Sequence, residues 1–154
     1  PWHVVPVAKK ELKKIPFLSW AMLAAGHIFI DRSNHKKALQ SMGKIKNSLK
    51  KNPRSILIFP EGTRSLDGKI KPFKKGGIIL AIDTGLPIVP IACCGTFDVL
   101  IKGSKNFDPK PIELRFGAPI DTSSEDLDNR NEITERVKQA VINLKSDWNN
   151  IEIN

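Results

Sequence analysis

Short apolar runs alternate with amphipathic stretches along this chain, and the alternation predicts strands interleaved with helices. Val4 to Ala8 reads as a strand, Lys9-Lys10-Glu11-Leu12 as a brief helical turn and Pro16 as a break. Phe17 to Ala25 reads as a helix closed by Gly26, and His27-Ile28-Phe29-Ile30 as a second strand ending on Asp31-Arg32. Ser33 or Asn34 can cap a helix reaching to about Lys51, in which Ala38, Met42, Ile45 and Leu49 recur at steps of four, three and four. That stripe faces a core, while Lys36, Lys37, Lys44, Lys46, Lys50 and Lys51 mostly face water.

Ser55 to Phe59 reads as a third strand, followed after Gly68 and Pro72 by a helix over Gly76 to Thr84 that Gly85 stops. Pro87 to Cys93 is apolar on both faces, so we expect a fourth strand, central in a parallel sheet. Pro90 inside it predicts a bulge or a side without a pairing partner. A charged loop, Lys102 to Pro111, leads to a strand over Ile112 to Phe116. Glu132 to Trp148 closes the chain as an amphipathic helix with Ile133, Val137, Val141 and Leu144 on one side. The order predicts an α/β fold: a mainly parallel central sheet flanked by helices. No internal repeat is visible.

At 154 residues and 40% hydrophobic, residues 1–154 fit one domain with a real core. A formal charge of +9 directs attention to anionic partners: phosphorylated small molecules, a lipid surface or nucleic acid. The chain has no tyrosine and no recognisable base-reading motif, which argues against a nucleic-acid-binding module, the third of these. Cys93 and Cys94 are adjacent, so no disulfide framework exists, and both are expected as small buried hydrophobes in a reducing compartment. No apolar run has the length of a membrane span. Ile15 to Ile30 lacks Asp, Glu, Lys and Arg but is broken by Pro16 and Gly26. It reads as a buried helix and strand, with shallow contact to a membrane surface as the alternative. The first residue is Pro1 and the earliest methionine Met22, so a processed product or a fragment of something longer is expected.

The candidate chemistry lies in Phe59-Pro60-Glu61-Gly62-Thr63-Arg64-Ser65, directly after the apolar run Ser55-Ile56-Leu57-Ile58. Arg64 offers a planar fork for two oxygens of a phosphate or carboxylate, and Gly62 lets backbone approach closely. Glu61 is expected to orient Arg64 or a neighbouring amide. A polar loop with a surface ion pair is the competing description. In parallel sheets ligands collect beyond the carboxyl ends of strands. Lys9-Lys10, Asp31-Arg32 and Glu61 to Ser65 each follow a strand, so the three basic clusters are expected on one rim.

Taken together, these residues resemble the glycerolipid acyltransferase family typified by 1-acyl-glycerol-3-phosphate (lysophosphatidic acid) acyltransferases. The resemblance covers roughly residues 4 to 120. It rests on Val7-Ala8-Lys9-Lys10-Glu11-Leu12 with Pro16 and Trp20, on Gly26 to Arg32, on Phe59 to Ser65 with Gly68, on Phe73-Lys74-Lys75-Gly76, and on Val89-Pro90-Ile91-Ala92 with Gly95. Ser19 stands where relatives usually carry glycine, and it is small enough for the same packing.

The resemblance implies acyl transfer from acyl-coenzyme A or acyl carrier protein, as co-substrate, to the sn-2 hydroxyl of a lysophosphatidic acid acceptor, giving phosphatidic acid. It implies no cofactor and no metal. It also implies attachment to the cytoplasmic face of a membrane, with anionic lipid as partner and without nucleic acid. Lys9, Arg32, Glu61, Gly62, Thr63 and Arg64 would form the phosphate site. Arg64 would grip the phosphate, Lys9 rather than Lys10 would reach the same oxygens, and Gly62 and Thr63 would shape the loop. Arg32 would line the pocket or pair with Asp31 or Glu61, while Val89 to Ala92 would be buried strand. The family's general base is a histidine followed five positions later by aspartate. Here His3 is followed at that distance by Ala8, His27 by Arg32 and His35 by Gln40. The catalytic pair is therefore expected upstream of Pro1, with these 154 residues inactive alone, and His35 on a helix surface. A binding-only relative is the alternative.

Overall fold

The computed structural model describes residues 4–30, 45–49, 51–101, 103–104, 106–146 and 148. The chain divides into two compact units, Pro1–Phe59 and Pro60–Asn154.

In the first unit, strand β1 (Val4–Lys9) is the middle of a parallel sheet of order β2-β1-β3, with β2 at Ile28–Ile30 and β3 at Ser55–Leu57. Its two halves take different partners. Val4, Val5 and Pro6 stand opposite Ser55, Ile56 and Leu57, whereas Val7, Ala8 and Lys9 stand opposite Ile28, Phe29 and Ile30. A central strand must be apolar on both sides, and Val5, Val7 and Ala8 are all buried. A 3-10 turn at Lys10–Lys14 and helix α1 (Leu18–Ala24) form the crossover between β1 and β2. Helix α2 is described over residues 45–49, where Ile45 and Leu49, the end of the predicted stripe, are buried. The cap at Ser33 or Asn34, the earlier stripe positions Ala38 and Met42, and His35 lie outside the described residues.

The second unit is built on helices α3 (Gly76–Thr84) and α5 (Arg130–Lys145), whose Ile78, Ile82, Ile133 and Val137 form its core with Phe73, Ile88 and Ile120 packed against them. Gly85 ends α3 in the left-handed conformation at φ 64°, with its own amide on Ile82 and the Leu86 amide on Ala81. Those two bonds satisfy carbonyls that the helix would otherwise leave open. Buried Thr122 adds its hydroxyl, within reach of the Ala81 carbonyl at 3.1 Å and the Leu86 carbonyl at 2.9 Å.

Strand β4 (Ile91–Cys94) is followed by a short helix α4 (Thr96–Val99) and pairs with β5 (Glu113–Phe116). The pairing is antiparallel, in a two-stranded sheet, so the expected central parallel strand over Pro87 to Cys93 is corrected. The physical reason lies in the two prolines and in the face that the run exposes. Pro90 has no amide to give, and the regular ladder begins only after it. Ile88 and Ile120 exchange both backbone bonds, at 2.9 and 2.8 Å, but Ile91 stands opposite Phe116. Two residues on one side therefore face three on the other, a bulge at Gly117 to Pro119 opposite Val89 and Pro90. Val89 is exposed, against the expectation for Val89 to Ala92, while Pro90 and Ala92 are buried. Alternation across the strand likewise separates the cysteines: Cys94 is buried, and Cys93, expected to be buried, is exposed. Both are free thiols.

Candidate functional site

The segment from Pro60 to Lys75 contains no helix or strand, yet its backbone is held at several points. The Lys74 amide donates to the Pro60 carbonyl at 2.9 Å, closing the segment into a loop. Inside it, Glu61 Oε2 accepts the Lys71 amide at 2.9 Å. Lys71 Nζ donates to the Arg64 carbonyl at 3.3 Å. From outside the loop, Lys145 near the end of α5 donates to the Gly68 carbonyl at 2.8 Å. Asp67 turns the far end by accepting the Ser65 hydroxyl at 2.8 Å and the Lys69 amide at 3.2 Å. The Ser65 hydroxyl above all, then the Lys69 amide, hold the Asp67 carboxyl below the usual carboxylate range.

Glu61 is thus a structural carboxylate bound to an amide, and Arg64 is left to act outward. Arg64 is exposed, and among the described residues its guanidinium has no ion pair or side-chain hydrogen bond. Gly62 sits beside it at φ 71°, a conformation that side-chain-bearing residues rarely adopt. A Cβ added there would lie 3.0 Å from both Cε and Nζ of Lys74, so the Lys74 ammonium lies against the Gly62 turn. Thr63 is exposed next to it. Between Glu61 and Lys75 five cations, Arg64, Lys69, Lys71, Lys74 and Lys75, stand against two carboxylates, Glu61 and Asp67. Helix α3 begins at once after Lys75 with no side-chain cap, which leaves first-turn amides and the positive end of its dipole beside this cationic segment. Such a loop can hold a phosphate or carboxylate through one planar fork, one point charge and backbone donors.

The loop brings together four of the residues singled out in the sequence, Glu61, Gly62, Thr63 and Arg64. Lys9 ends β1 in the first unit, in register with Ile30 at the carboxyl edge of the parallel sheet. Arg32 lies outside the described residues. Lys71 and Lys74 join the loop without being legible as site residues in the sequence, where Phe73-Lys74-Lys75-Gly76 stands out only as a block. The available signal is spacing: Pro60 and Lys74 close the loop, so whatever occupies position 74 returns to the Gly62 turn. Among the described residues no His, Cys, Asp and Glu cluster could hold a metal ion, and no helix is long and apolar enough to cross a membrane.

Known proteins resemble this chain in sequence and in fold. The model of a protein family described as Acyltransferase matches residues 1–94. The 1-acyl-sn-glycerol-3-phosphate acyltransferase of Limnanthes douglasii is 38% identical over 142 residues, covering 92% of this chain and 50% of that protein. The enzyme of the same name from Saccharomyces cerevisiae is 36% identical over 137 residues, covering 88% and 45%. The crystal structure of the 1-acyl-sn-glycerophosphate (LPA) acyltransferase PlsC from Thermotoga maritima superposes with a TM-score of 0.76 at 28% identity, over 99% of this chain and 58% of that one. The chain spans about half the length of the curated relatives it matches.

Proposed function

The chain belongs to the acyltransferase family, and from that premise we propose that it is the phosphate-holding part of an enzyme that acylates lysophosphatidic acid to phosphatidic acid. In the proposed reaction the sn-2 hydroxyl oxygen attacks the thioester carbonyl of acyl-coenzyme A or acyl carrier protein. The new ester bond forms, the carbon–sulfur bond breaks, and the hydroxyl proton leaves through a general base to the thiol. The donor is a co-substrate, and we assign no cofactor. The cytoplasmic face of a membrane is the proposed setting.

The carrying observation is the Glu61–Arg64 turn itself: Glu61 Oε2 accepts the Lys71 amide, the Lys74 ammonium lies against Gly62 with its left-handed backbone, and Arg64 is exposed two residues further on. A phosphomonoester carries close to two negative charges at neutral pH, and this arrangement matches it with a fork and a point charge. Thr63 serves as a further donor. Lys9 and Arg32 are assigned to the same role on the resemblance of their sequence blocks, and each is to be tested by its own charge-removing substitution.

Calorimetric titration of the chain with lysophosphatidic acid and with the corresponding monoacylglycerol tests the reading. Arg64→Gln is expected to weaken the phosphate-bearing lipid by about 10- to 150-fold, the worth of a hydrogen-bonded charge pair, and to leave monoacylglycerol binding unchanged. Equal affinities for lysophosphatidic acid in the two proteins would remove Arg64 from the site. Because no histidine in these 154 residues has an aspartate five positions on, thioester release from acyl-coenzyme A is expected to remain at background. Measurable turnover would locate a base among the residues present.

A further inference from the structure

Helix α1 is built inside out for a protein surrounded by water. Its one buried residue is a serine, Ser19 at 5% exposure, while Phe17 at 77%, Trp20 at 63%, Leu18 and Leu23 lie open to solvent with Ile15 just before them. No Asp, Glu, Lys or Arg interrupts Ile15 to Ile30. Phe17 and Trp20 meet edge to face with ring centroids 5.3 Å apart, making one continuous aromatic surface. Phe17 is also the only described residue other than glycine with positive φ, at 61°, and such conformations persist where the surroundings enforce them. The Ser19 amide on the Ile15 carbonyl at 3.0 Å and the Ala21 amide on the Phe17 carbonyl at 2.9 Å fix this corner to the helix. Large exposed apolar patches of this kind mark interaction sites.

Charge narrows the choice of partner. The 3-10 turn that leads into the corner carries Lys10, Lys13 and Lys14, all exposed, with Glu11 as its one acid. Lys13 also lies over the Phe29 ring, 5.0 Å from its centroid. An apolar, aromatic-tipped face edged by lysines matches the boundary between acyl chains and anionic headgroups, where tryptophan is enriched and lysine reaches the phosphates. A protein surface would complement the apolar part but has no general reason to supply anions along its border. At seven residues α1 is about 10 Å long, suited to lying in that boundary and far short of crossing it.

We propose that the Phe17–Trp20–Leu23 face is a docking surface for an anionic lipid bilayer, seated in the headgroup layer with Lys13 and Lys14 on lipid phosphates. The proposal draws on the lipid-substrate reading only for the choice of a bilayer as partner. It makes α1, an element of the first unit, the contact.

Flotation of the chain with vesicles of phosphatidylcholine, with and without phosphatidylglycerol, is the test, joined to tryptophan quenching by brominated lipids. The wild type is expected to float with the anionic vesicles. Phe17→Ser/Trp20→Ser is expected to lose at least about tenfold in partitioning, since each substitution removes a large apolar insertion. Lys13→Gln/Lys14→Gln is expected to lose about fivefold per lysine on anionic vesicles and little on neutral ones. Brominated lipid should quench the wild type and spare Trp20→Phe. Quenching that persists in Trp20→Phe, equal flotation of the serine variant, or no flotation of the wild type because another segment or protein covers the face, each overturns the proposal. Calorimetry of Arg64→Gln with lysophosphatidic acid reads the phosphate site, whereas flotation of the serine and lysine variants reads the docking face, so failure of either reading shows in a different measurement. Circular dichroism of each variant separates unfolding from lost binding, and the two lysine substitutions alter only exposed side chains.

Discussion

Replacing Gly62 by alanine tests whether the loop from Pro60 to Lys75 depends on its left-handed backbone or on the space that Lys74 occupies. At φ 71° any L-residue with a Cβ suffers about 1–2 kcal/mol of backbone strain. The new Cβ would also sit 3.0 Å from Cε and Nζ of Lys74, but those atoms are the end of a flexible chain and can swing aside. The backbone contribution should therefore dominate. For a chain of 154 residues each kcal/mol lowers Tm by roughly 2–4 °C, so Gly62→Ala is expected to fall about 2–8 °C below wild type. The assay is thermal unfolding of wild type, Gly62→Ala, Lys74→Ala and the double variant. Because strain at φ 71° is present with or without the lysine, the coupling between the two sites should stay within about 0.5 kcal/mol. A Gly62→Ala protein melting at the wild-type temperature refutes the left-handed turn. A loss that disappears in the Lys74→Ala background refutes the ranking and makes contact with the lysine, rather than backbone strain, the main cost. Lysophosphatidic acid binding gives an independent reading: Gly62→Ala should weaken it when Lys74 is present to be displaced, and add little once Lys74 is gone.

Gly95→Ala should be far costlier than Gly62→Ala, because a Cβ at φ 78° would be driven into the Pro111 carbonyl oxygen and against Trp148, and backbone cannot swing aside. A loss above about 4 kcal/mol in denaturant unfolding is expected, and a loss no larger than that of Gly62→Ala would contradict this packing. Thr122→Val keeps the shape but removes the buried hydroxyl from the Ala81 and Leu86 carbonyls, so it should lower stability by about 1–3 kcal/mol with an unchanged denaturant m-value. Ser65→Ala removes the main cause of the low Asp67 pKa, so a carboxyl-carbon NMR titration should find that pKa moved up toward the ordinary value. A depressed folded-state pKa contributes stability above the unfolded value and loses it as pH falls through the folded one. The variant should accordingly show a shallower loss of stability on acidification, and an unmoved pKa would reassign the effect to the Lys69 amide.

Where local chemistry alone decides, the sequence is readable. The helix over Gly76 to Thr84 is legible to the residue, because Gly85 can take the left-handed cap that stops it. Val4 to Ala8 is an apolar run whose observed strand extends to Lys9, and Ile133 and Val137 on the closing helix are buried as their spacing requires. Strand partners are less readable. The run from Pro87 to Cys93 has the composition of a buried parallel strand, yet which strand it meets depends on chain far away, and its partner is Glu113–Phe116 running the other way. The loop residues are legible because Gly62 and Arg64 advertise their chemistry. Lys74 is not, since a lysine among lysines gains meaning only when the Pro60–Lys74 hydrogen bond folds it back onto the turn. The inverted exposure of α1 is hidden for a related reason: periodicity shows that one face differs from another but not which of them meets solvent.

The clasps on the segment from Pro60 to Lys75 bear on how quickly its amides trade hydrogen with water. Irregular loops normally exchange freely, but here the Lys71 amide is bound by Glu61 and the Lys74 amide by Pro60, while Lys145 of α5 anchors the Gly68 carbonyl. Those two amides should exchange on the timescale of the helices around them, slowed by openings that also require α5 to release its lysine. A loop already immobilised in this way surrenders little further freedom when an anion arrives, so more of the attraction between the cations and the anion is left to appear as affinity.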